Sequence, residues 1–423
     1  MQRISDTTWL IIILAAGIGL RVAVLWTQFD HLAEDRDAYR AIAQHVAAGQ
    51  GYLHPQTQQP TAYRPPAYTL IVAALLKTGL NDAGIAALHL VLGAGTILLS
   101  YATARRLGLS RFSLAAAAIT AVDPLLLQST TLVMTETLAA FLLALLFWTI
   151  APNTDSTPPT KGRLLSVGLV FGLNALCRPT IWAFGALAAA WWILRRVGRQ
   201  NVVNPLPILL GILLITSPWV VRNIIVLGRP ILTTTHGGYT LLLGNNPVYY
   251  HEVVGGDWNA VWSGESLKNW QDGLEREIQK HDPPITTEIA RDRWMNDRAH
   301  DNIAAEPGFF LRASFLRLVR GLWGVVPLQE PTSISGRILK YSVCAFYVIV
   351  LAGMILGLCS LKKNQWPDWM PAALLLVSFT LVHTCYWANM RMRTPLMPVI
   401  ALFVAQGCWA IWHWRGRSLK TKV

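Results

Sequence analysis

Residues 84–150 read GIAALHLVLGAGTILLSYATARRLGLSRFSLAAAAITAVDPLLLQSTTLVMTETLAAFLLALLFWTI. Three apolar runs, 84–104, 112–128 and 132–150, fill this stretch. Arg105, Arg106 and Arg111 stand between the first two, and Asp123 and Glu136 stand near the joint of the second and third. The hydrocarbon core of a bilayer takes about 20 apolar residues per helix, and somewhat fewer inside a bundle. The three runs are therefore read as consecutive membrane spans.

Runs of the same kind lie at 8–27, 163–177, 180–196, 205–226, 338–360, 369–388 and 394–414. Together they predict an all-α polytopic membrane protein, a bundle of about ten spans with both termini on one side. The basic residues of the short loops test that register. With the N-terminus inside, Arg105, Arg106 and Arg111, then Lys161 and Arg163, then Arg195, Arg196 and Arg199 all fall on the cytoplasmic side. So do Lys362 and Lys363, and Arg415, Arg417, Lys420 and Lys422. The expectation is a protein of the cytoplasmic (inner) membrane with both termini in the cytoplasm and its large loops outside.

Two apolar stretches are left out of the count because either one, as a crossing, would invert the basic loops that follow. Residues 66–80 are short and read as a helix lying along or dipping into the outer interface. Residues 308–328 place Arg312, Arg317 and Arg320 at helical spacing beside Phe309, Phe310, Phe315, Leu316 and Trp323, an amphipathic interfacial pattern. The chain then divides into a first membrane module, 1–226, with an outer loop at 28–83. An outer region follows at 227–337, and the last spans and a basic tail occupy 338–423. The outer region opens with turn-rich HGGYTLLLGNNP (236–247) and has helical character near 286–304.

Composition agrees. Of 423 residues, 53% are hydrophobic and 14% charged, where a soluble chain carries about a quarter charged; mean hydropathy is +0.38. The net charge of +13 would suggest nucleic acid in a soluble protein, but here it marks topology, and no nucleic-acid partner is expected. Cys177, Cys344, Cys359, Cys385 and Cys408 all sit in apolar runs without metal or redox spacing. The first run lacks a small-residue cleavage site after it and is read as a span. Gly168 and Gly172, four apart, predict a close helix contact.

In this orientation the charged residues of the outer ends form a set. The first outer loop carries Glu34, Asp35, Asp37 and Tyr39 in EDRDAYRAIAQ, and Tyr63 and Arg64 in TAYRPPAY. Glu136 follows in MTET, Arg178 in CRPT, Arg222 in PWVVRN, and Arg391 and Arg393 in NMRMRTP. Any one of these arginines could be a snorkelling or salt-bridged structural residue. Recurring at the outer ends of separate spans beside two acidic motifs, the set points to function. The chemistry suits a polyprenyl-phosphate sugar. Guanidinium groups would bind the phosphate and stabilise it as a leaving group, and a carboxylate would take the proton of an attacking hydroxyl. No phosphate-cradling glycine loop is present, as fits a donor that is not a nucleotide.

At these residues the chain resembles the GT-C superfamily of membrane glycosyltransferases, and within it the bacterial relatives of protein O-mannosyltransferases and of the aminoarabinose transferase that modifies lipid A. DRDAYRAIA, GQGY, YRPPAY, TETL, CRPT, PWVVRN, GGYTLLLGNNP and RMRTPLMP carry the resemblance, in that order, over nearly the whole chain. It implies a GT-C bundle and an inverting transfer of a hexosyl or pentosyl group from a polyprenyl phosphate to a protein, lipid or glycan acceptor.

It also implies a catalytic base in the first outer loop. Asp35, four residues before Tyr39, matches best, with Asp37 as its competitor, and Glu136 stands at the family's second acidic position. Arg64, Arg178, Arg391 and Arg393, with Arg222 as a further member, are implied phosphate ligands. Tyr39, Tyr63, Asn245 and Asn246 are implied substrate contacts. Some relatives use a divalent metal and others do not. His236, His251 and His383 show no ligand spacing, so no metal site is assigned. The rival readings are a transporter or flippase, which would carry charges inside its spans, and a lipid-linked polysaccharide ligase or polymerase.

Overall fold

Each apolar run of the sequence becomes a helix in the computed structural model, which describes residues 5–152, 158–196, 204–328, 331 and 333–420. The first half of the chain gives α1 (Asp6–Thr27), α2 (Tyr39–Ala47), α3 (Pro66–Lys77), α4 (Asn81–Arg106), α5 (Ser113–Val122) and α6 (Pro124–Gln128). It continues with α7 (Glu136–Ile150), α8 (Lys161–Cys177), α9 (Ile181–Arg196) and α10 (Leu206–Leu227). After the segment α11 (Gly237–Gly244), α12 (Gly264–Gln279), α13 (Glu288–Ala305) and α14 (Pro307–Leu316) come α15 (Ile334–Cys359), α16 (Trp366–Cys385) and α17 (Met397–Lys420). The only β pairing among the described residues is an isolated bridge between Leu53 and Pro60.

Six of these helices are each long and apolar enough to cross a membrane, and the α5–α6 pair makes a seventh if its two pieces form one span. The protein is a polytopic membrane protein. Its solvent shows in the side chains turned outward: Leu209, Leu213 and Ile225 of α10 and Ile338, Leu339 and Ile349 of α15 are all more than half exposed (Leu209 51%). In water such a belt would be an aggregation surface; in lipid it is ordinary. At the other extreme α17 threads the middle of the bundle, with 78% of its apolar window buried, against α4, α5, α7 and α15.

Glycines set the closest approaches, as Gly168 and Gly172 predict. A Cβ on Gly168 would lie 2.0 Å from the Ile208 carbonyl oxygen of α10. The contact of α15 with α17 has the same basis, a Cβ on Gly357 falling 1.9 Å from the Phe403 oxygen.

Three expectations need correction. The run 112–128 is not one straight helix: it bends by 46° at Asp123–Pro124. Pro124 has no N–H for the Thr120 carbonyl, and the Leu125 N–H goes to the Tyr347 hydroxyl (3.1 Å). The donors come instead from Arg21, fully buried in α1, which reaches the carbonyls of Ala121 (3.0 Å) and Thr120 (3.2 Å). The stretch HGGYTLLLGNNP is mostly helix, α11, and not a chain of turns. The arginines after α14 do not form a polar stripe: Arg317 and Arg320, in the π-helical turn Arg317–Leu322, are buried. Arg317 donates to the carbonyls of Cys385 (2.6 Å) and Gly244 (2.9 Å). Arg199 and Lys422 lie outside the described residues, as do the side chains of Arg196, Arg415, Arg417 and Lys420.

α3, at 12 residues, extends only about 18 Å, well short of a bilayer core of roughly 30 Å. It packs on α2, the other helix of the segment 28–83.

Candidate active site

The turn before α2 gives its two aspartates different surroundings. Both carboxylate oxygens of Asp35 accept backbone N–H groups of the first turn of the helix, from Arg40 (3.0 Å) and Ala41 (2.8 Å). Asp35 is thus the cap of α2, the use a helix start makes of a carboxylate. Ala38 follows in the left-handed region (φ 63°), a conformation that costs an alanine about 1–2 kcal/mol. Between them Asp37 meets Arg64 at 3.1 Å and Arg391 at 3.7 Å, and its backbone carbonyl accepts from Arg64 Nε (2.6 Å).

Arg64 owes its aim to its neighbours. Pro65 is extended (ψ 140°) and Pro66 opens α3, so two fixed φ angles follow the arginine and hold the end of the loop. Its guanidinium lies over the rings of Tyr63 (4.6 Å) and Tyr39 (5.4 Å). Burial works against the Arg64 charge, but Tyr39 and Asp37 outweigh it and hold the group above its ordinary value. Burial also pushes the Tyr39 and Tyr63 hydroxyls up. Behind Tyr63, the ring of His236 lies 4.5 Å away; burial first, and the nearby Arg64 second, hold its imidazole well below the usual histidine range.

A second carboxylate completes the cluster. Glu136, the first residue of α7, is buried, with Oε1 3.4 Å from Arg391 and 3.5 Å from Arg178. Arg178 caps the end of α8 in an extended conformation before Pro179, and Arg391 sits on the 3-10 segment Met390–Leu396 that leads into α17. The other ends of these guanidinium groups rest on sulfur, Arg178 on Met392 (2.9 Å) and Arg391 on Met134 (2.5 Å). A thioether is a weak acceptor, so donors built for strong anionic partners are held by poor ones. Glu136 Oε2 has no hydrogen-bond partner among the described residues. Three guanidinium groups face two carboxylates from five separate pieces of chain, a surplus of positive charge that suits an anion. Among the described residues, no three His, Cys, Asp or Glu side chains converge as metal ligands.

Four of the expected site residues lie elsewhere. Arg222 donates to the carbonyls of Thr61 (2.7 Å) and Tyr52 (3.0 Å), tying the segment between α2 and α3 to α10. Arg393, two residues from Arg391, faces the opposite way: it is fully buried, donates to the carbonyls of Leu322 and Gly324 (3.0 Å each), and lies 4.4 Å over the Tyr347 ring. Tyr347 in turn donates to Asp123 (3.3 Å). Asn245 and Asn246 are buried and committed to their own chain. The Asn245 amide donates to the Cys385 carbonyl (2.7 Å), and the Asn246 side-chain oxygen accepts the Tyr249 N–H (2.9 Å). The sequence reading in turn missed Met134 and Met392, which look like apolar filler, and Arg21, hidden inside a span.

A family model described as dolichyl-phosphate-mannose-protein mannosyltransferase matches residues 63–221, the stretch that holds Arg64, Glu136 and Arg178. No curated protein sequence matches the chain. Among solved structures, the archaeal oligosaccharyltransferase AglB from Archaeoglobus fulgidus, in complex with an inhibitory peptide and a dolichol-phosphate, is similar with a TM-score of 0.54 at 16% identity; the match covers 99% of this chain and 52% of that one. The Archaeoglobus fulgidus oligosaccharyltransferase tethered to an acceptor peptide with the NVT sequon gives 0.54 at 13% identity, covering 95% and 49%. ArnT from Cupriavidus metallidurans bound to undecaprenyl phosphate gives 0.44 at 14%, covering 96% and 78%. The chain spans about half the length of the archaeal structures it matches. It has the GT-C fold.

Proposed function

We propose that this protein is a membrane glycosyltransferase that moves a sugar from a polyprenyl-phosphate-linked donor to a hydroxyl-bearing acceptor at the extracytoplasmic face, with inversion. The observation that carries this reading is the convergence of Arg64, Arg178 and Arg391 on Asp37 and Glu136 at one end of the bundle. Support also comes from the family-model match over residues 63–221 and from the presence of a dolichol-phosphate in AglB, which shares the fold.

In the reaction the acceptor oxygen attacks the anomeric carbon from the side opposite the phosphate, and its proton passes to Asp37. The bond from the anomeric carbon to the phosphate oxygen breaks, and the electron pair leaves with the phosphate. Arg178 and Arg391 exchange their thioether contacts for phosphate oxygens, which bind guanidinium far better, and stabilise the charge that gathers there. Glu136 keeps both side chains aimed. Asp37 serves as base because its carboxylate faces the cluster, whereas both oxygens of Asp35 are taken by the backbone of α2.

Arg21 and Asp123, charges inside spans, are what a transporter would carry. Their partners are backbone carbonyls and N–H groups of a broken helix and the Tyr347 hydroxyl, so the break accounts for them. The test is transfer of labelled sugar from a panel of polyprenyl-phosphate sugars by purified protein in lipid, with Asp37→Asn and Asp35→Asn alongside. Turnover with one donor, lost in Asp37→Asn, is the expected result. Full activity in both variants, or no donor bound or turned over across the panel, overturns the reading.

A further inference from the structure

At the end of the bundle away from Asp37, the start of α1, the end of α4, the turn before α5 and the last turns of α17 enclose a cavity of about 430 Å³. Asp82, at the near end of α4, pairs with Arg40 of the first outer loop; Arg105 lies 23 residues further along the same helix, about 35 Å by helical rise. The cavity is therefore a separate place from the cluster above, and nothing about it depends on the proposed activity.

Arg105, Arg111 and His413 line the cavity together with Trp409 and Trp412. The Arg111 guanidinium lies 4.0 Å over the Trp412 ring and 5.2 Å over Phe112, and no carboxylate among the described residues pairs with it. Arg105 has one, Asp6 at 3.6 Å, but both side chains are about half exposed, so the pair has little net worth. Two guanidinium groups thus line the cavity with one weakly held carboxylate, which pairs with Arg105 alone. Trp412 is 57% exposed, and Ile411 and Trp414 beside it are exposed too. An apolar flank accordingly runs from the cavity along the outside of α17.

Guanidinium groups with an indole wall and an apolar flank, at the level where membrane helices end, match one ligand in particular. Phosphate oxygens would take the arginines, the indoles sit well at headgroup level, and hydrocarbon chains would follow the flank. Inorganic phosphate would use the same arginines and leave the flank bare. We propose that this cavity binds the headgroup of an anionic membrane phospholipid, and that the bound lipid ties α1 to α4, α5 and α17. α1 gains most from such a tie, since only 17% of its apolar window is buried.

Native mass spectrometry of the purified full-length protein reads the lipid that each variant retains. The set is wild type, Arg105→Ala/Arg111→Ala, and Lys362→Ala/Lys363→Ala, which removes equal charge from exposed positions near the same end. Wild type and the lysine variant are expected to keep an anionic phospholipid, and the arginine variant to lose it by roughly tenfold or more. Adding phosphatidylglycerol should then raise the melting temperature of wild type and not of the arginine variant, while inorganic phosphate at equal concentration does neither. Equal loss in the lysine variant would mean diffuse surface charge, and equal protection by inorganic phosphate would mean a simple anion site; either overturns the proposal, as does lipid retained by the arginine variant. Should that variant aggregate, Trp412→Ala, which leaves every charge in place, must weaken lipid retention for the proposal to stand.

Discussion

At the scale of single residues the first outer loop offers a separable pair. Asp37→Asn leaves every cap of α2 intact and removes the proposed base, so transfer should fall by roughly 10²–10⁴-fold with the melting temperature unchanged. Asp35→Asn should do the reverse, costing about 1 kcal/mol of stability because only one of the two cap hydrogen bonds keeps an acceptor, while much of the transfer remains. Arg391→Lys tests bidentate recognition. It keeps the charge but not the fork that reaches Asp37 and Glu136 together, and is expected to lower kcat by about 10²-fold, close to Arg391→Ala. His236 supplies a pH signature. Its folded pKa is held well below the ordinary 6.5; as pH falls through that value the unfolded chain takes up a proton that the folded one refuses. Stability is therefore unaffected above about pH 6.5 and falls below it, by at most about 1.4 kcal/mol per unit. Thermal unfolding between pH 5 and 7.5 should be flatter in His236→Gln.

At the scale of elements the break between α5 and α6 makes a testable unit. Pro124 leaves the Thr120 carbonyl without a helical donor, and Arg21 of α1 supplies one. Arg21→Leu alone should destabilise the protein by about 1–3 kcal/mol, since it strands buried carbonyls. In a Pro124→Ala background, where the backbone N–H is restored, the same substitution should cost less. Melting temperatures of the four variants give the coupling, and strict additivity would show that Arg21 serves something other than the break. Here the sequence was only half legible. Hydropathy found the run 112–128, because lipid selects for apolar residues whether a helix is straight or bent. The bend was signalled by Asp123–Pro124, whereas Arg21 gave no local sign of its partner about 100 residues on.

At the scale of the whole molecule, the alternation of apolar runs and basic loops made the bundle legible, since both are imposed residue by residue by the bilayer. The site was legible in part. Arg64, Glu136, Arg178 and Arg391 stand together as their places at span ends suggest, because antiparallel helices bring those ends to one face. What hydropathy could not tell was which way a side chain points within a turn. Asp35 and Asp37 stand two residues apart yet turn to different partners, and Arg222 and Arg393 look like their neighbours until their hydrogen bonds are traced. The orientation itself has a direct check. A fluorescent protein fused after Val423 should fluoresce and an alkaline phosphatase there should stay inactive, with the opposite pattern for fusions truncated within 54–59 of the first outer loop.

The 3-10 segment Met390–Leu396 carries Arg391 toward Asp37 and Glu136 and Arg393 toward Tyr347. Two cations two positions apart thus serve opposite sides of one strip of backbone, and what is stored there is a count as much as a composition. A single residue inserted or deleted just ahead of Arg391 would bring a methionine to its place, since the segment alternates Met and Arg, and would take both guanidinium groups off their partners. Evolution can therefore respell this segment but not change its length. Aligned descendants of a common ancestor should show substitutions across it and no gaps, while the loop around 54–59 drifts freely in both.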